Sequence, residues 1–295
     1  MSELNPQILS LLQQLIDRQA VLEQRVAYLL DHAQQVPKFF SPCDANCLLE
    51  LESLLAPATP LDASFVRVGG ENDGGYVMVD SGLANTSVYN FGIGAEVTWD
   101  QAMTDRGNTI YQFDHTIVEP PPVNGKTVFQ RLGLGAESGG SFVSISDALR
   151  ANGDYDRRDL VLNIDIEGAE WDILPTLSED DLSPFSQIVI EFHNLLAWVN
   201  DPNFRTRVLS SLVTLYQTHQ IVHVHANNYG GRGIAGNVMA YDVLEATLLR
   251  RTDWTFAAHH DALPHELDRP NSPYRDEFVL GNWGQRELSE VSRGA

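Results

Sequence analysis

The chain from residue 65 onward alternates short apolar runs with amphipathic stretches. The apolar runs are rich in β-branched residues and predict seven strands, at 87–92, 109–114, 126–131, 160–166, 187–192, 220–226 and 243–250. Helical patterns at 99–106, 144–151, 168–177 and 203–219 separate several of them. This alternation predicts βαβ units and a mostly parallel sheet covered on both faces. No helix joins the last two strands, so they are predicted to form an antiparallel pair at the end of the sheet.

The N-terminal segment carries a different pattern, a heptad repeat between residues 8 and 33. Gln19 interrupts an otherwise apolar repeat, which consists of Ile8, Leu15, Leu22 and Leu29 at one position and Leu12, Val26 and Ala33 at the other. One helix cannot bury such a stripe against itself, so it packs either on its own domain or on a second copy. The regular leucine spacing favours a coiled-coil dimer, and hence a homo-oligomer.

These patterns divide the chain into three segments. Residues 1–40 are predicted to be an oligomerisation helix. Residues 41–64 are predicted to be a connector, in which prolines surround a short helix at 45–55. Residues 65–295 are predicted to form one α/β domain, because all seven predicted strands fall within this range.

Composition and charge exclude several classes of protein. Forty acidic residues against nineteen Lys and Arg residues give a formal net charge of −21, which opposes binding to nucleic acid and to anionic membrane surfaces. The two cysteines, Cys43 and Cys47, are too few for a four-ligand zinc site. The sequence shows neither a signal-peptide pattern nor an apolar stretch of membrane-spanning length. We therefore expect a cytoplasmic protein that binds neither nucleic acid nor membrane.

A turn with two glycines follows the first strand of the predicted sheet. Gly92 and Gly94 form this turn, and Val97 stands where a dinucleotide-binding fingerprint has its third glycine. This pattern argues against NAD and favours a nucleoside cofactor that lacks a pyrophosphate. Such a cofactor requires only that the backbone approach it closely, which glycines allow. Asp114 ends the next strand, twenty residues after Gly94, where a carboxylate can accept hydrogen bonds from ribose hydroxyls.

A carboxylate also marks the fourth predicted strand. Asp165 interrupts an apolar run, which is costly unless the carboxylate is paired or functional. In open α/β sheets, ligands bind at the carboxyl ends of the strands, so Asp165 is predicted to face a cofactor or substrate. Glu167 and Glu170 follow in the next turn. Glu170 is interpreted as a residue that favours the N-terminus of the following helix.

The next two strands end in imidazole, carboxylate and amide side chains. Alternation along each strand puts Glu191 with His193 on one face, and likewise His223 with His225. Asp165, Glu191, His193, His225 and Asn227 are therefore predicted to meet at one rim of the sheet. The cluster has two functional interpretations, a general base and a set of ligands for a divalent cation. The structural alternative is that backbone hydrogen bonds satisfy the histidines.

Taken together, these motifs resemble FkbM-type methyltransferases and the related methyltransferase-like proteins. The resemblance runs from about residue 67 to residue 283 and rests on Asn90-Phe-Gly-Ile-Gly94, Phe113-Asp114, Asn163-Ile-Asp-Ile-Glu-Gly-Ala-Glu170, Glu191-Phe-His193, Arg67-Val-Gly-Gly-Glu-Asn-Asp73-Gly-Gly-Tyr76, Glu245-Ala-Thr-Leu-Leu249 and Leu267-Asp-Arg-Pro-Asn271. It implies a Rossmann-like class I methyltransferase fold, in which a seven-stranded, mostly parallel sheet has an antiparallel last strand. It also implies S-adenosylmethionine as methyl donor and a sugar or glycan hydroxyl as acceptor.

The resemblance also implies roles for individual residues. Gly92 and Gly94 approach the cofactor, Asp114 holds its ribose, and Asp165 lies at the reaction centre. The role implied for the Asp-Gly-Gly-Tyr motif is less specific: it lines the cofactor pocket or forms a tight turn, and its residues are Asp73, Gly74, Gly75 and Tyr76.

The expected reaction is O-methylation of a sugar, a glycan or a glycosylated small molecule. A sugar hydroxyl is a weak nucleophile, so it needs either His193 or His225 as a base, or a cation held by Asp165 and its neighbours that lowers its pKa. The predicted catalytic residues are Asp165, Glu191 and His193. The predicted ligands of a divalent cation, Mg²⁺ or Mn²⁺, are Asp165, Glu191 and His225. An NAD-dependent sugar-modifying oxidoreductase and a non-catalytic coiled-coil scaffold with a degenerate domain are the alternative functions.

Overall fold

A seven-stranded sheet lies at the centre of the computed structural model, which describes residues 36–285 and Gln19. In chain order the described strands are β1 (Lys38–Phe39), β2 (Ala58–Pro60), β3 (Phe65–Gly69), β4 (Gly75–Val79), β5 (Ser87–Phe91), β6 (Thr109–Phe113), β7 (Lys126–Gln130), β8 (Gly133–Leu134), β9 (Phe142–Val143), β10 (Leu160–Ile164), β11 (Phe185–Phe192), β12 (His219–Ala226), β13 (Arg232–Ala235), β14 (Val238–Tyr241), β15 (Leu244–Arg250) and β16 (Phe256–Ala258). The described α-helices are α1 (Ala45–Leu54), α2 (Thr98–Thr104), α3 (Ile145–Asn152), α4 (Glu170–Ile173), α5 (Glu179–Leu182) and α6 (Pro202–Thr218). Short 3₁₀ helices occupy Pro42–Asp44, Leu174–Thr176 and Leu195–Val199.

All seven predicted strands belong to the central sheet. Each observed strand begins and ends within two residues of the predicted first and last residues. The strand order is β7-β6-β5-β10-β11-β15-β12. β15 pairs antiparallel with both β11 and β12, and the other neighbours in the sheet pair in parallel. The predicted α/β class, the mostly parallel sheet and the antiparallel pair at its end are therefore confirmed. The strand order reverses between β5 and β10, which is where open α/β sheets bind ligands.

Apolar side chains cover both faces of the central strands. All residues of β5 and β10 are buried, as expected for parallel strands with packing on both sides. Successive residues of a strand enter different clusters: Val88 and Val161 pack in one with Trp99 of α2, whereas Tyr89 and Leu162 pack in the other. The carboxyl ends of these strands are consequently held on a rigid base.

The helices predicted in the α/β region form, with one interruption. The pattern at 168–177 becomes the short helix α4 followed by the 3₁₀ turn at Leu174–Thr176. Pro175 lies in that turn and lacks the backbone N–H that a continuous α-helix would require. The longest described helix, α6, begins after Asp201, whose side chain accepts hydrogen bonds from the backbone N–H groups of Asn203 and Phe204.

The segment predicted as a connector contains α1, and the buried face of α1, which includes Leu48 and Leu51, packs in the core. Four small sheets among the described residues were not predicted. β3 pairs with β4, β2 pairs with β16, and β8 pairs with β9. In the fourth sheet, β13 pairs with both β1 and β14. The predicted coiled coil at 8–33 lies outside the described residues except for Gln19, so the three-segment division stays a prediction. No helix in the described part of the chain has both the length and the apolar character needed to cross a membrane.

Candidate active site

The ends of β5, β6 and β10 border a cavity of about 490 Å³ at the point where the strand order reverses. We call it the first cavity. The glycine turn after β5, the residues after β6 and the turn after β10 supply most of its lining, which consists of Asp73, Gly92, Ile93, Gly94, Ala95, Glu96, Phe113, Asp114, His115, Thr116, Gly133, Leu134, Phe142, Asp165, Ile166, Glu167 and Ala169. Three residues predicted to contact a cofactor, Gly92, Gly94 and Asp114, thus meet at one cavity.

The two glycines of this turn are required for different reasons. A side chain at Gly92 would collide with the carbonyl oxygen of Asp165, so Gly92 allows β5 and β10 to end side by side. Gly94 has a φ of +55°, and a Cβ added to it would meet no atom within 4 Å. Because Gly94 borders the first cavity, its missing side chain leaves room for a ligand close to the backbone.

Asp114 fixes the glycine turn through both of its carboxylate oxygens. Oδ2 accepts hydrogen bonds from the backbone N–H groups of Ile93 and Gly94, each at 3.0 Å. Oδ1 accepts from the backbone N–H of Thr116 at 2.7 Å and from its hydroxyl at 2.6 Å. Burial acts to raise the pKa of Asp114, but the hydrogen bonds from Thr116, Gly94 and Ile93 outweigh it and lower the pKa to about 2. A ribose contact would have to replace or share one of these bonds, so the ribose role stays a prediction.

The Asp-Gly-Gly-Tyr motif forms the end of the turn between β3 and β4 and the start of β4. Side chains at Gly74 and Gly75 would collide with neighbouring atoms of this turn and of the loop before α2, so close packing requires both glycines. Tyr76 is buried within β4. Of the four residues, Asp73 borders the first cavity, and its Oδ1 accepts a hydrogen bond of 3.1 Å from the side-chain amide of Asn271.

A second cavity of about 750 Å³ adjoins the first, and Asp73, Asp165 and Glu167 border both. The rest of its lining comes from the ends of β11 and β12, from the segment around β1 and from the loops beside β13 and β14: Val36, Lys38, Glu191, His193, Asn227, Tyr229, Gly230, Gly231, Arg232, Asp242 and Val243. Carboxylates outnumber the Lys and Arg side chains in this lining. The second cavity therefore presents mainly negative charge and hydrogen-bond acceptors.

His193 lies beside the junction of the cavities and faces three carboxylates. Its Nε2 lies 3.5 Å from Glu167 Oε2, 3.7 Å from Asp165 Oδ1 and 3.7 Å from Glu191 Oε2. Each distance exceeds the range of an N–H···O hydrogen bond, about 2.7–3.2 Å. We call these four residues the His193 cluster. The predicted catalytic residues Asp165, Glu191 and His193 are thus brought together, and Glu167 joins them.

Glu170 fixes the orientation of the His193 ring. Its fully buried Oε1 accepts a hydrogen bond of 2.7 Å from the backbone N–H of His193 and lies 3.2 Å from His193 Nδ1. Its Oε2 accepts a hydrogen bond of 2.8 Å from the N–H of Gly168. A proton on Nδ1 donated to Glu170 leaves the lone pair of Nε2 directed towards the cluster. Glu170 therefore does more than favour the start of α4, which was the only role that the sequence indicated.

Burial makes charge costly for two of the cluster's carboxylates. It raises the pKa of Asp165 to about 6, with the nearby His193 acting in the opposite direction. Burial, reinforced by the charges of Asp165 and Glu245, raises the pKa of Glu191 well above its ordinary value. The Asn227 side-chain amide donates a hydrogen bond of 2.5 Å to Glu191 Oε1. The cluster therefore favours a bound proton or a bound cation near these oxygens.

His225 does not join the His193 cluster, which corrects the predicted ligand set of Asp165, Glu191 and His225. His225 Nδ1 lies 2.9 Å from Glu245 Oε2, and Nε2 lies 3.1 Å from Glu277 Oε1. The β12–β15 register is the cause, because it pairs His225 directly with Glu245. Burial acts to lower the pKa of His225, but Glu245 and Glu277 raise it to about 10. Both ring nitrogens are occupied, and His193 supplies the imidazole of the site.

His223 is also a structural histidine. Its Nε2 lies 2.9 Å from Asp268 Oδ1, which joins β12 to the segment after β16. Asp268 Oδ2 in turn accepts a hydrogen bond of 2.7 Å from the backbone N–H of His265. His223 therefore holds the C-terminal segment against the sheet and lies outside both cavity linings.

Glu167 belongs to the site although the sequence analysis assigned it no role there. It has a φ of +57°, a left-handed conformation that is uncommon for a residue with a side chain, and its side chain is 86% exposed. Gly168 follows with a φ of +102°. The Glu167-Gly168 pair, two residues after Asp165, indicates a tight turn, but it does not show that the turn brings Glu167 towards His193.

No family model matches the chain, and comparison with curated proteins finds no match. Among solved structures, a proposed hemolysin from Streptococcus thermophilus is similar over 60% of this chain and 71% of its own, with 10% identity and a TM-score of 0.34. The Methanococcus jannaschii fibrillarin pre-rRNA processing protein is similar over 64% and 83%, with 8% identity and a TM-score of 0.32. A chain of a fibrillarin/Nop5p complex is similar over 65% and 97%, with 11% identity and a TM-score of 0.33. Similarity at this level assigns no function.

Proposed function

We propose that the chain is an S-adenosylmethionine-dependent methyltransferase that acts on a hydroxyl of a neutral sugar or glycan. The pair of adjoining cavities is the observation that carries the proposal. The first cavity is bordered by the glycine turn and Asp114, and it shares Asp73, Asp165 and Glu167 with the second. A donor in the first cavity and an acceptor in the second would meet at these shared residues, as a displacement reaction requires.

The lining of the first cavity suits a sulfonium nucleoside better than a dinucleotide. Phe142 and, to a smaller extent, Leu134 offer apolar surface to the adenine base of the cofactor. Carboxylates are numerous in the same lining, so they oppose the two negative charges of a pyrophosphate and attract a positively charged sulfonium. Val97 also replaces the third glycine of the dinucleotide fingerprint. These features support S-adenosylmethionine over NAD.

The second cavity suits an uncharged acceptor. Its carboxylates repel phosphorylated or carboxylated sugars, and Lys38 already lies 3.8 Å from one of them, Asp242. Asn227 and Tyr229 add groups that hydrogen-bond to hydroxyls. A volume of about 750 Å³ accommodates a sugar with neighbouring units extending towards solvent. These properties support a neutral glycan or a glycosylated small molecule as acceptor.

The acceptor must lose a proton as it is methylated. A bond forms between its oxygen and the methyl carbon while the bond between carbon and sulfur breaks, which leaves a neutral thioether. We assign the released proton to Glu191, which borders the second cavity. Burial raises the proton affinity of its ionised carboxylate, and a hydrogen bond from Asn227 holds it in place. Glu191 therefore acts as the general base.

Transfer of a labelled methyl group tests this proposal. The protein is incubated with methyl-labelled S-adenosylmethionine and matched panels of neutral and anionic glycans. We expect label on neutral acceptors, a loss of turnover of about a hundredfold or more in Glu191→Gln, and unchanged affinity for S-adenosylhomocysteine in that variant. Label on anionic acceptors alone would contradict the acceptor class. Binding of NAD in place of S-adenosylhomocysteine would favour an oxidoreductase, and binding of neither would favour a scaffold.

A further inference from the structure

Three residues of the His193 cluster lie close enough together to bind one metal ion. Selected ligand atoms of Asp165, Glu167 and His193 all lie within 4.8 Å of one another. Two atoms bound at about 2.1 Å from one ion are separated by about 3 to 4 Å. The distances from His193 Nε2 to Glu167 and Asp165, 3.5 and 3.7 Å, fall in this interval. Both distances are too long for a hydrogen bond, and a shared ion between these atoms would account for them.

Two further observations distinguish the cluster from an ordinary group of acidic residues. Asp165 Oδ1, which lies 3.7 Å from His193 Nε2, is a buried atom that accepts no hydrogen bond from an N–H group or a hydroxyl group among the described residues. An unsatisfied buried oxygen requires an explanation, and a cation supplies one. His193 is also positioned as metal-bound histidines are: its second ring nitrogen meets the buried carboxylate of Glu170, which fixes the ring and directs Nε2 away from it.

We propose that Asp165, Glu167 and His193 bind one divalent cation, and that Mn²⁺ matches this ligand set best. The charges of two carboxylates balance a divalent ion when the imidazole is neutral. Carboxylate oxygens suit Mg²⁺ and Mn²⁺, whereas an imidazole nitrogen suits first-row transition metals. Mn²⁺ accepts both kinds of ligand. Three protein ligands leave positions for water or for a substrate oxygen.

The location of the site suggests what the ion does, and this part of the inference rests on the proposed methyl transfer. Asp165 and Glu167 border both cavities, so an ion held by them would be accessible to an acceptor in the second cavity. Such an ion would lower the pKa of an acceptor hydroxyl, and Glu191, which is not one of the three ligands, would receive the proton. The hydroxyl oxygen then attacks the methyl group. No additional reactant is needed.

Titration of the full-length protein with Mn²⁺, followed by electron paramagnetic resonance, tests the site. We expect one saturable site per chain that quenches the signal of free Mn²⁺. Glu167→Gln should weaken binding about tenfold or more, and because the side chain of Glu167 is exposed, we expect the variant to keep its fold. Asp172→Asn is the matched control, because it removes the same charge from an exposed carboxylate that pairs with Arg207. Equal binding by the two variants would overturn the proposal.

Pulsed resonance spectra of the same complex identify the ligand atom. Coordination by His193 predicts a nitrogen-14 modulation that disappears in His193→Ala. Mn²⁺ held only by the negative charge of the surface would show no such modulation, and this result would overturn the site. S-adenosylhomocysteine binding is measured in parallel without metal. Failure of S-adenosylhomocysteine binding would contradict the proposed methyltransferase and leave the metal site standing. Absence of Mn²⁺ binding in a protein that still binds S-adenosylhomocysteine would overturn the metal site and leave the methyltransferase standing.

Discussion

His193 directly follows β11, and His225 lies near the end of β12, on the other side of β15. The surroundings of the two rings differ. Each ring has Nδ1 beside a buried glutamate, at 3.2 Å from Glu170 for His193 and at 2.9 Å from Glu245 for His225. The two rings differ in the surroundings of the second nitrogen, Nε2. His225 Nε2 lies within hydrogen-bond distance of Glu277, at 3.1 Å, whereas the nearest carboxylate oxygen to His193 Nε2 is 3.5 Å away.

Under the proposed function, this difference distinguishes a structural histidine, His225, from a functional one, His193. The ring of His225 is enclosed by two acceptors and cannot reach a ligand without breaking an ion pair. The ring of His193 borders the second cavity, and its Nε2 has a fixed orientation but makes no hydrogen bond. Burial and residue type are the same for both, so the distance from the second nitrogen to its neighbours is the informative quantity.

Replacement of His225 should have the largest effect. His225→Ala leaves Glu245 and Glu277 without their shared cation, and removal of one partner from a buried ion pair costs about 3–5 kcal/mol. Urea unfolding at pH 7 measures this loss of free energy of unfolding. If His193→Ala destabilises the protein as much as His225→Ala does, the distinction between the two histidines is wrong.

Replacement of His193 should affect turnover more than stability. His193→Ala removes a proposed metal ligand, so turnover should fall about a hundredfold, while Glu170 keeps its hydrogen bond from the backbone N–H of residue 193. Steady-state kinetics on a verified acceptor and calorimetry with S-adenosylhomocysteine measure the two effects. Full turnover in the variant would show that the cluster is structural.

The pH dependence of stability sharpens the same comparison. The folded pKa of His225 is about 10, above its ordinary value of 6.5. Its contribution is therefore complete below pH 6.5 and is lost as the pH rises to about 10. We expect the free energy of unfolding to fall by about 2 kcal/mol more in the wild type than in His225→Gln between pH 7 and pH 9. Parallel curves for the two proteins would contradict the ion pair.

His219 should give the smallest effect, with the opposite sign. This ring lies 2.9 Å from the carbonyl oxygen of Phe185 and 2.8 Å from the hydroxyl of Thr218, with no carboxylate bonded to it. Burial lowers its pKa to about 4, so stability is lost as the pH falls from 6.5 towards 4. Acidification from pH 7 to 5.5 should cost about 1 kcal/mol more in the wild type than in His219→Gln. Denaturant titrations at both pH values provide the measurement.

Much of the fold could be predicted because its signals are local. Continuous apolar runs mark strands buried on both faces, such as β5 and β10, and helical patterns between strands indicate parallel connections. The small pairings of β1, β2 and β16 could not be predicted, because two- or three-residue strands carry no period. Their partners lie far away in the sequence, as β2 and β16 illustrate.

The candidate site was less predictable because it depends on distances between side chains. The ends of parallel strands indicated that Asp165, Glu191 and His193 would meet. The exclusion of His225 depends on a hairpin register that pairs it with Glu245, and β13 and β14 intervene between the two strands. Because the sequence did not reveal that insertion, the residue of β15 that lies opposite His225 could not be identified by counting from the turn. The role of Glu170 depends in turn on a tight turn that folds its side chain back to His193.

Calorimetric titration with S-adenosylhomocysteine tests the central claim, that the first cavity binds this cofactor class at the glycine turn. Gly94→Ala is compared with Gly153→Ala, because both glycines are exposed, have positive φ and would meet no atom within 4 Å of an added Cβ. Only Gly94 borders the first cavity. We predict saturable binding by the wild type and by Gly153→Ala, and about tenfold or weaker affinity in Gly94→Ala, because the added methyl group occupies space next to the ligand. Equal affinity in all three proteins, or no binding by the wild type, would contradict the claim.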